Sequence, residues 1–266
     1  MPFQNDPDYL LRRQYRDASN LNARIAVHRR FSINPEPLWE WMWRLVKLPH
    51  QARILEIGCG PGDFWRANLH RIPMGWKITL TDFSPGMLDQ ARANLGPARR
   101  RFRFAQVNIT HLPFPAKTFD AVFANFMLYH APDLDQALAG IHRVLKQGGR
   151  LYAATNGPRH MQQLRELLRR LDPEAQVLGV ATAFSLDSGR EAIRRYFPIA
   201  NCYHYDDALR VTEAEPMIAY ALSASMPPRL TQEPEPLRKA IRAIIDREGA
   251  FLIEKESGLF EAIKAM

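Results

Sequence analysis

Glu56 stands near the end of a short apolar run, and glycines follow it at positions 58, 60 and 62. An uninterrupted apolar run of this length reads as a strand buried on both faces, breaking into a turn where the backbone must come close to something. Glycine has no Cβ, so a ligand can lie against the main chain and φ can turn positive. The next acid closing an apolar run is Asp82, about twenty residues past the last glycine, the spacing of a ribose-binding acid after a nucleoside-binding turn. Farther along, Asn125-Phe126-Met127-Leu128-Tyr129-His130 follows another apolar run. The ordinary histidine pKa near 6.5 suits His130 to proton transfer at neutral pH. In helical register Asn20, Arg24 and His28 share one face at four-residue spacing, with Tyr15 upstream; that face either meets a ligand or is an ordinary solvated one.

Alternating elements must position these groups. Residues 53–57, 77–81, 102–107, 119–124 and 150–155 read as strands. Helices are expected at 63–71, at 85–95 with Ser84 as cap and Pro85 at its first position, and at 133–145, stopped by Gly148-Gly149. Strands alternating with helices imply a parallel sheet covered on both faces. Ahead of the sheet, residues 7–32 and 38–48 read as helices; Trp39 and Trp43 share a face, either as packing residues or as the lining of an apolar pocket. After it the rhythm changes. Helices are expected at 160–171, 187–197, 213–223 and 237–247, with strand-like pieces at 201–205 and 209–212. Residues 251–254 and 259–263 read as a closing hairpin or bulged edge strand around Ser257-Gly258.

Bulk properties narrow the class. The 266 residues carry 46% hydrophobic and 24% charged side chains, ordinary for a globular protein with one α/β domain and elaborations. No apolar run approaches the ~20 residues of a membrane span, and the first residues lack the basic-then-apolar pattern of a secretory signal. The two cysteines, Cys59 and Cys202, suggest no disulfide framework, so a cytoplasmic location is expected. The net charge of +8 is spread over small Arg pairs and triplets, read mainly as solvated helix faces with polyanion binding as the rival. No His-x-x-x-His or Cys-x-x-Cys spacing points to a metal.

Four motifs in order then carry a family resemblance. Leu55-Glu56-Ile57-Gly58-Cys59-Gly60-Pro61-Gly62 resembles the first motif of class I S-adenosylmethionine (SAM)-dependent methyltransferases, and Thr81-Asp82-Phe83-Ser84-Pro85-Gly86-Met87-Leu88 the second. The passage 112–120 resembles the family's entry into strand four, and 142–151 its entry into strand five. The closest likeness is to the small-molecule subgroup of ubiquinone/menaquinone-biosynthesis type. The resemblance implies a Rossmann-like, doubly wound, mostly parallel seven-stranded sheet with helices on both faces. It also implies an N-terminal helical cap (1–50), a SAM-binding core (51–157), a lid inserted after strand five (158–235) and a C-terminal helix and strand completing the sheet (236–266).

Residue by residue, the resemblance implies that Gly58, Cys59, Gly60 and Gly62 form the loop beside the methionine and ribose of SAM. Glu56 would receive the ammonium and Asp82 the ribose hydroxyls, with Phe83 and Met87 packing beside adenine. Asn108-Ile109 stands where the family has an acid reading the adenine amine; the Asn carbonyl can accept the same bond without charge. Asn125 and Phe126 would face the methionine and sulfonium, and Arg24 or Tyr15 the carboxylate. His130, Tyr129 and His28 are the candidates for proton removal from an acceptor or for lining its pocket. The expected cofactor is SAM without a metal. The expected partner is a small, partly apolar acceptor, bound by a monomer or homodimer. An RNA-directed methyltransferase is the rival enzyme reading, disfavoured because 125–128 is not the Asn/Asp-Pro-Pro-aromatic tetrapeptide of many nucleic-acid methyltransferases. A SAM-binding regulatory protein is the non-enzyme rival.

Overall fold

The computed structural model describes residue 16 and residues 19–173, 183–223, 230 and 232–265. Two helices lead in, α1 (Ser19–Phe31) and α2 (Leu38–Leu45). They are followed by β1 (Arg53–Ile57), α3 (Asp63–Asn68), β2 (Lys77–Asp82), α4 (Pro85–Leu95), β3 (Phe102–Gln106), β4 (Phe119–Asn125), α5 (Leu134–Val144) and β5 (Leu145–Asn156). Then come α6 (Gln162–Leu171), α7 (Gly189–Arg194), β6 (Ile199–Val211), α8 (Ala214–Leu222), α9 (Glu235–Glu248) and β7 (Phe251–Ile263). The strands form one seven-stranded sheet in the order β3-β2-β1-β4-β5-β7-β6. The first five run parallel, and β7 is antiparallel to both β5 and β6. The strand order reverses between β1 and β4, so the ligand crevice of such a sheet lies at their carboxyl ends.

The central strands are mostly apolar because both faces are covered: four of the five β1 residues and six of the seven β4 residues are buried. On one face Ala137, Leu138, Ile141 and Val144 of α5 pack with Ile193 and Phe197 against the sheet. On the other, Phe64 and Trp65 of α3, Leu88 and Ala91 of α4, and Trp41 and Met42 of α2 do so. Trp39 and Trp43 both contact Phe64, and Trp43 also meets Trp65 and Trp76, which places them in packing rather than in a pocket wall.

Three sequence expectations change in the second half. The pieces at 201–205 and 209–212 are one continuous strand, β6. The supposed closing hairpin is also one strand: β7 is not at the edge but pairs on both sides, and Gly258 sits inside it because a Cβ there would lie 2.5 Å from the Tyr203 carbonyl. Helix α5 ends at Leu145 in an extended conformation, and Gly148-Gly149 lie within β5 beside the register shift between Phe119 and Ala121. The helix expected over 7–32 begins at Ser19 among the described residues.

The β6–β7 pairing outruns β5. Asn156 at the end of β5 pairs with Ser257, yet β6 and β7 continue together from Asp206↔Glu256 to Val211↔Phe251. This ribbon projects past the carboxyl edge of the parallel strands. Around it forms a separate apolar cluster of Val27 and Phe31 (α1), Leu164 and Leu168 (α6), Met217 and Tyr220 (α8) and Leu237 and Ile241 (α9). Asp207 fastens α1 to the ribbon: it accepts from Ser32 Oγ (2.5 Å) and from the backbone N–H groups of Ile33 (3.1 Å) and Asn34 (3.0 Å), and it pairs with buried Lys255. No helix of the described residues is long and apolar enough to cross a membrane.

Candidate functional site

The loop after β1 is tied to β2. Cys59 N–H donates to the Thr81 carbonyl (2.9 Å), Thr81 Oγ1 to the Glu56 carbonyl (2.8 Å), and Gly60 N–H to Asp82 Oδ2 (2.9 Å). Asp82 Oδ1 accepts from Ser84 N–H (2.8 Å), while Ser84 itself caps α4 through Met87 N–H (3.2 Å). Asp82 is thus not the helix cap. Its carboxylate braces the glycine loop and keeps further lone pairs for hydroxyl donors. Burial raises its pKa, opposed by the backbone N–H groups it accepts from.

The three glycines have different reasons. Gly58 (φ 64°) faces Met127, whose Cβ and Cγ would lie 2.9 Å from an added Cβ. Gly62 (φ 77°) lets α3 approach α4, with Ala91 Cβ 3.3 Å from that position. At Gly60 (φ 52°) the nearest atom is Leu21 Cδ2 of α1, at 3.5 Å, so the cap helix lies over the loop. Cys59 is buried, and burial, then Asp82 and Glu56, push its thiol pKa well up, against a nucleophilic role.

Glu56 is buried between two donors. Trp65 Nε1 donates to Oε2 (2.5 Å) and Asn125 Nδ2 to Oε1 (2.8 Å). Burial raises its pKa to about 8, the two donors and then Asp82 modifying that. The Glu56 bond fixes the Asn125 amide with its oxygen turned away, and this buried Oδ1 has no hydrogen-bond partner. Trp65 was not among the sequence candidates; its only sequence signal is a large indole on the helix after the loop, nine residues past Glu56.

The remaining candidates divide. Phe126 follows β4 with φ 54°, a strained value for a non-glycine, and packs edge-on to Trp39. Tyr129 and His130 lie on a 3-10 turn at the same edge with rings 4.6 Å apart. Phe83 is half-buried beside Asp82. Met87 is fully buried, and Ile109 is in the core. Asn108 Oδ1 already accepts from Thr110 N–H (3.0 Å) and Oγ1 (2.9 Å), so an adenine-reading role competes with this turn. Tyr15 lies outside the described residues. His28 is not beside the glycine loop; its ring faces His160 (5.7 Å) and Tyr220 (5.6 Å), and Arg24 is close enough to act on both His28 and Tyr220. Among the described residues no group of three or more His, Cys, Asp or Glu could hold a metal.

The arrangement suits a nucleoside carrying a cationic amino acid. Asp82 has lone pairs for vicinal hydroxyls, and the unmatched Asn125 Oδ1 beside Glu56 is an acceptor for an ammonium. Residues 55–153 match the family model described as a methyltransferase domain. The chain is 28% identical over 160 residues to a malonyl-[acyl-carrier protein] O-methyltransferase of Enterobacter lignolyticus, covering 58% of this chain and 60% of that one. It is 35% identical over 126 residues to a demethylmenaquinone methyltransferase of Deinococcus radiodurans, covering 47% and 52%. It thus spans about half to three-fifths of these relatives. Among solved structures, a putative methyltransferase of Bacillus halodurans superposes with TM-score 0.60 at 17% identity over 86% of this chain and 99% of that one. A phosphoethanolamine N-methyltransferase 2 of Haemonchus contortus, in complex with S-adenosyl-L-methionine, superposes with TM-score 0.59 at 20% identity over 98% and 60%. These likenesses show the class I, Rossmann-like methyltransferase fold.

Proposed function

We propose that this protein transfers a methyl group from SAM to a small, partly apolar organic acceptor and releases S-adenosylhomocysteine. The observation that carries the reading is the braced constellation at the β1/β4 switch point: Asp82 holding Gly60, and Glu56 holding Asn125 with its Oδ1 unmatched. When bound, the cofactor supplies an electrophilic methyl on a sulfonium. Asp82 accepts the ribose hydroxyls, and Asn125 Oδ1 with Glu56 accepts the ammonium. Phe126 and Met127 line the edge between the loop and β4. The chain's own task is then to hold an acceptor in line with the methyl and to exclude water, since alignment is the main catalytic lever for such a displacement. The helices around the β6–β7 ribbon, with α1, act as the cap over that acceptor. Tyr129 and His130 at the end of β4 are the groups that shape the approach or take a proton there. The name of the demethylmenaquinone methyltransferase relative supports this acceptor class.

The test is calorimetric titration with SAM and S-adenosylhomocysteine, followed by product release with acceptor pools fractionated by polarity. Micromolar binding that is lost in Asp82→Ala, and turnover with an apolar small-molecule fraction, are expected. Failure of the intact protein to bind either nucleoside refutes the reading, and turnover only on RNA, with steep salt sensitivity, replaces it.

A further inference from the structure

Phe126 is a backbone outlier at the very end of β4, with φ 54°. The other non-glycine residues of positive φ among those described, Lys117 and Met161, precede β4 and α6 instead. A bulky side chain in the left-handed region is a steric outlier that persists only where its surroundings hold it. Two neighbours do so here. Phe126 N–H donates to the Ala154 carbonyl (2.9 Å), extending the β4–β5 ladder past Asn125↔Ala154. The Phe126 ring sits edge-on against Trp39 of α2, with centroids 6.0 Å apart and planes at 75°.

The turn at Phe126 touches both halves of the site. On one side stands Asn125, which donates to Glu56 and keeps its Oδ1 unmatched. On the other, Met127 comes back over the glycine loop: a Cβ on Gly58 would lie 2.9 Å from Met127 Cβ and Cγ. The Met127 carbonyl then accepts from His130 N–H (2.9 Å), which sets the turn carrying Tyr129 and His130. Trp39 is itself fixed. Its carbonyl accepts from the buried Asn68 Nδ2 (3.1 Å), which also donates to the Phe64 carbonyl (2.9 Å), and its ring packs edge-on to Phe64 at 6.0 Å. An edge-on aromatic pair and a left-handed bulky residue each amount to about a factor of ten in an equilibrium, so loss of the indole is enough to let the turn relax.

We propose that Trp39 is a positioning residue of the cofactor site: its indole holds Phe126 in the left-handed conformation, and that turn seats Met127 on Gly58 and fixes the Asn125 end of β4. The proposal rests on the methyltransferase reading and deepens it. Trp39 touches no cofactor; it acts through Phe126. A second route to the site runs through Phe64, whose neighbour Trp65 donates to Glu56, so the two routes must be told apart. The Phe126 route depends on the strain at residue 126, and the Phe64 route does not.

The experiment is a double-mutant cycle read by calorimetric titration with S-adenosylhomocysteine, each protein first checked as folded by urea unfolding. Trp39→Ala should weaken binding about tenfold, and Trp39→Phe, which keeps a ring against Phe126, should stay within about twofold of the parent. In the Phe126→Gly background Trp39→Ala should add no more than about a twofold loss, because glycine has neither the ring to hold nor the strain to offset. Should Trp39→Ala fail to fold, position 126 supplies the test. Glycine there adopts φ 54° freely and alanine does not, so Phe126→Gly should bind about fivefold tighter than Phe126→Ala. Parent-like binding by Trp39→Ala, an undiminished loss in the Phe126→Gly background, or equal or weaker binding by Phe126→Gly than by Phe126→Ala overturns the proposal. Failure of the unaltered protein to bind S-adenosylhomocysteine strikes the methyltransferase reading instead.

Discussion

Replacing Glu56 by glutamine separates the cost of a buried acid from its use. The carboxyl is raised from its ordinary value near 4.5 to about 8, chiefly by burial. A group whose folded pKa is raised holds its proton in the folded state after the unfolded chain has released its own. Its contribution to stability is therefore complete below about pH 4.5 and is lost as pH rises toward 8. At about 1.36 kcal/mol per pH unit, that interval sets a ceiling of about 5 kcal/mol. Glutamine keeps the shape, can accept from Trp65 Nε1, and can donate to Asn125 if that amide turns over. Urea unfolding of the ligand-free protein at about pH 5, 6.5 and 8 is the assay. The variant should match the parent at pH 5 and exceed it by a few kcal/mol at pH 8. In SAM titrations it should bind at least tenfold more weakly, because the ammonium loses its anion. Binding by the parent near pH 7 should release a proton, seen as a dependence of the calorimetric heat on the buffer's ionisation enthalpy. Parallel pH–stability curves for the two proteins would refute the reasoning, since they would mean Glu56 ionises alike folded and unfolded.

Other outcomes follow from the same contacts. Asp82→Ala removes both the ribose acceptor and the brace on Gly60 N–H, and should lower SAM affinity by about two orders of magnitude in calorimetry, consistent with hydrogen bonds to a charged group. Gly62→Ala must hold φ 77° and press on Ala91 at 3.3 Å, so it should cost about 1–3 kcal/mol in thermal or urea unfolding. Lys255→Met leaves Asp207 buried with one partner fewer and should cost about 3–5 kcal/mol. Asp207→Leu should cost more, because the Asn34 amide loses its acceptor and the Ile33 amide keeps only the Ala208 carbonyl, and limited proteolysis should then cut near residues 32–36.

The core was legible because its signals are local. Apolar runs of five to seven residues, each ending near a glycine, an Asp or an Asn, mark strands buried on both faces whether or not their neighbours are known. Positive φ needs glycine at 58, 60 and 62 wherever the chain goes next, and Glu56 and Asp82 are each placed by their own strand. The region after β5 was not legible in this way. Asn201–Tyr205 and Leu209–Thr212 look like two pieces because β6 is an edge strand with alternating exposure around the polar Asp206-Asp207. Ser257-Gly258 looks like a turn until the Tyr203 carbonyl is seen to leave no room for a side chain.

By itself, then, the sequence determined a parallel nucleotide-type sheet, its glycine loop and the two acids that serve it, since spacing along one strand–turn–helix unit decides these. Only the tertiary structure decided what surrounds them. Trp65 reaches Glu56 from a helix face, Asn125 from two strands' distance in sequence, and His160 meets His28 because a thirteen-residue strand carries the cap past the sheet edge. Such meetings depend on how far a ribbon projects and which way a helix packs, and neither is written in the spacing of residues along the chain.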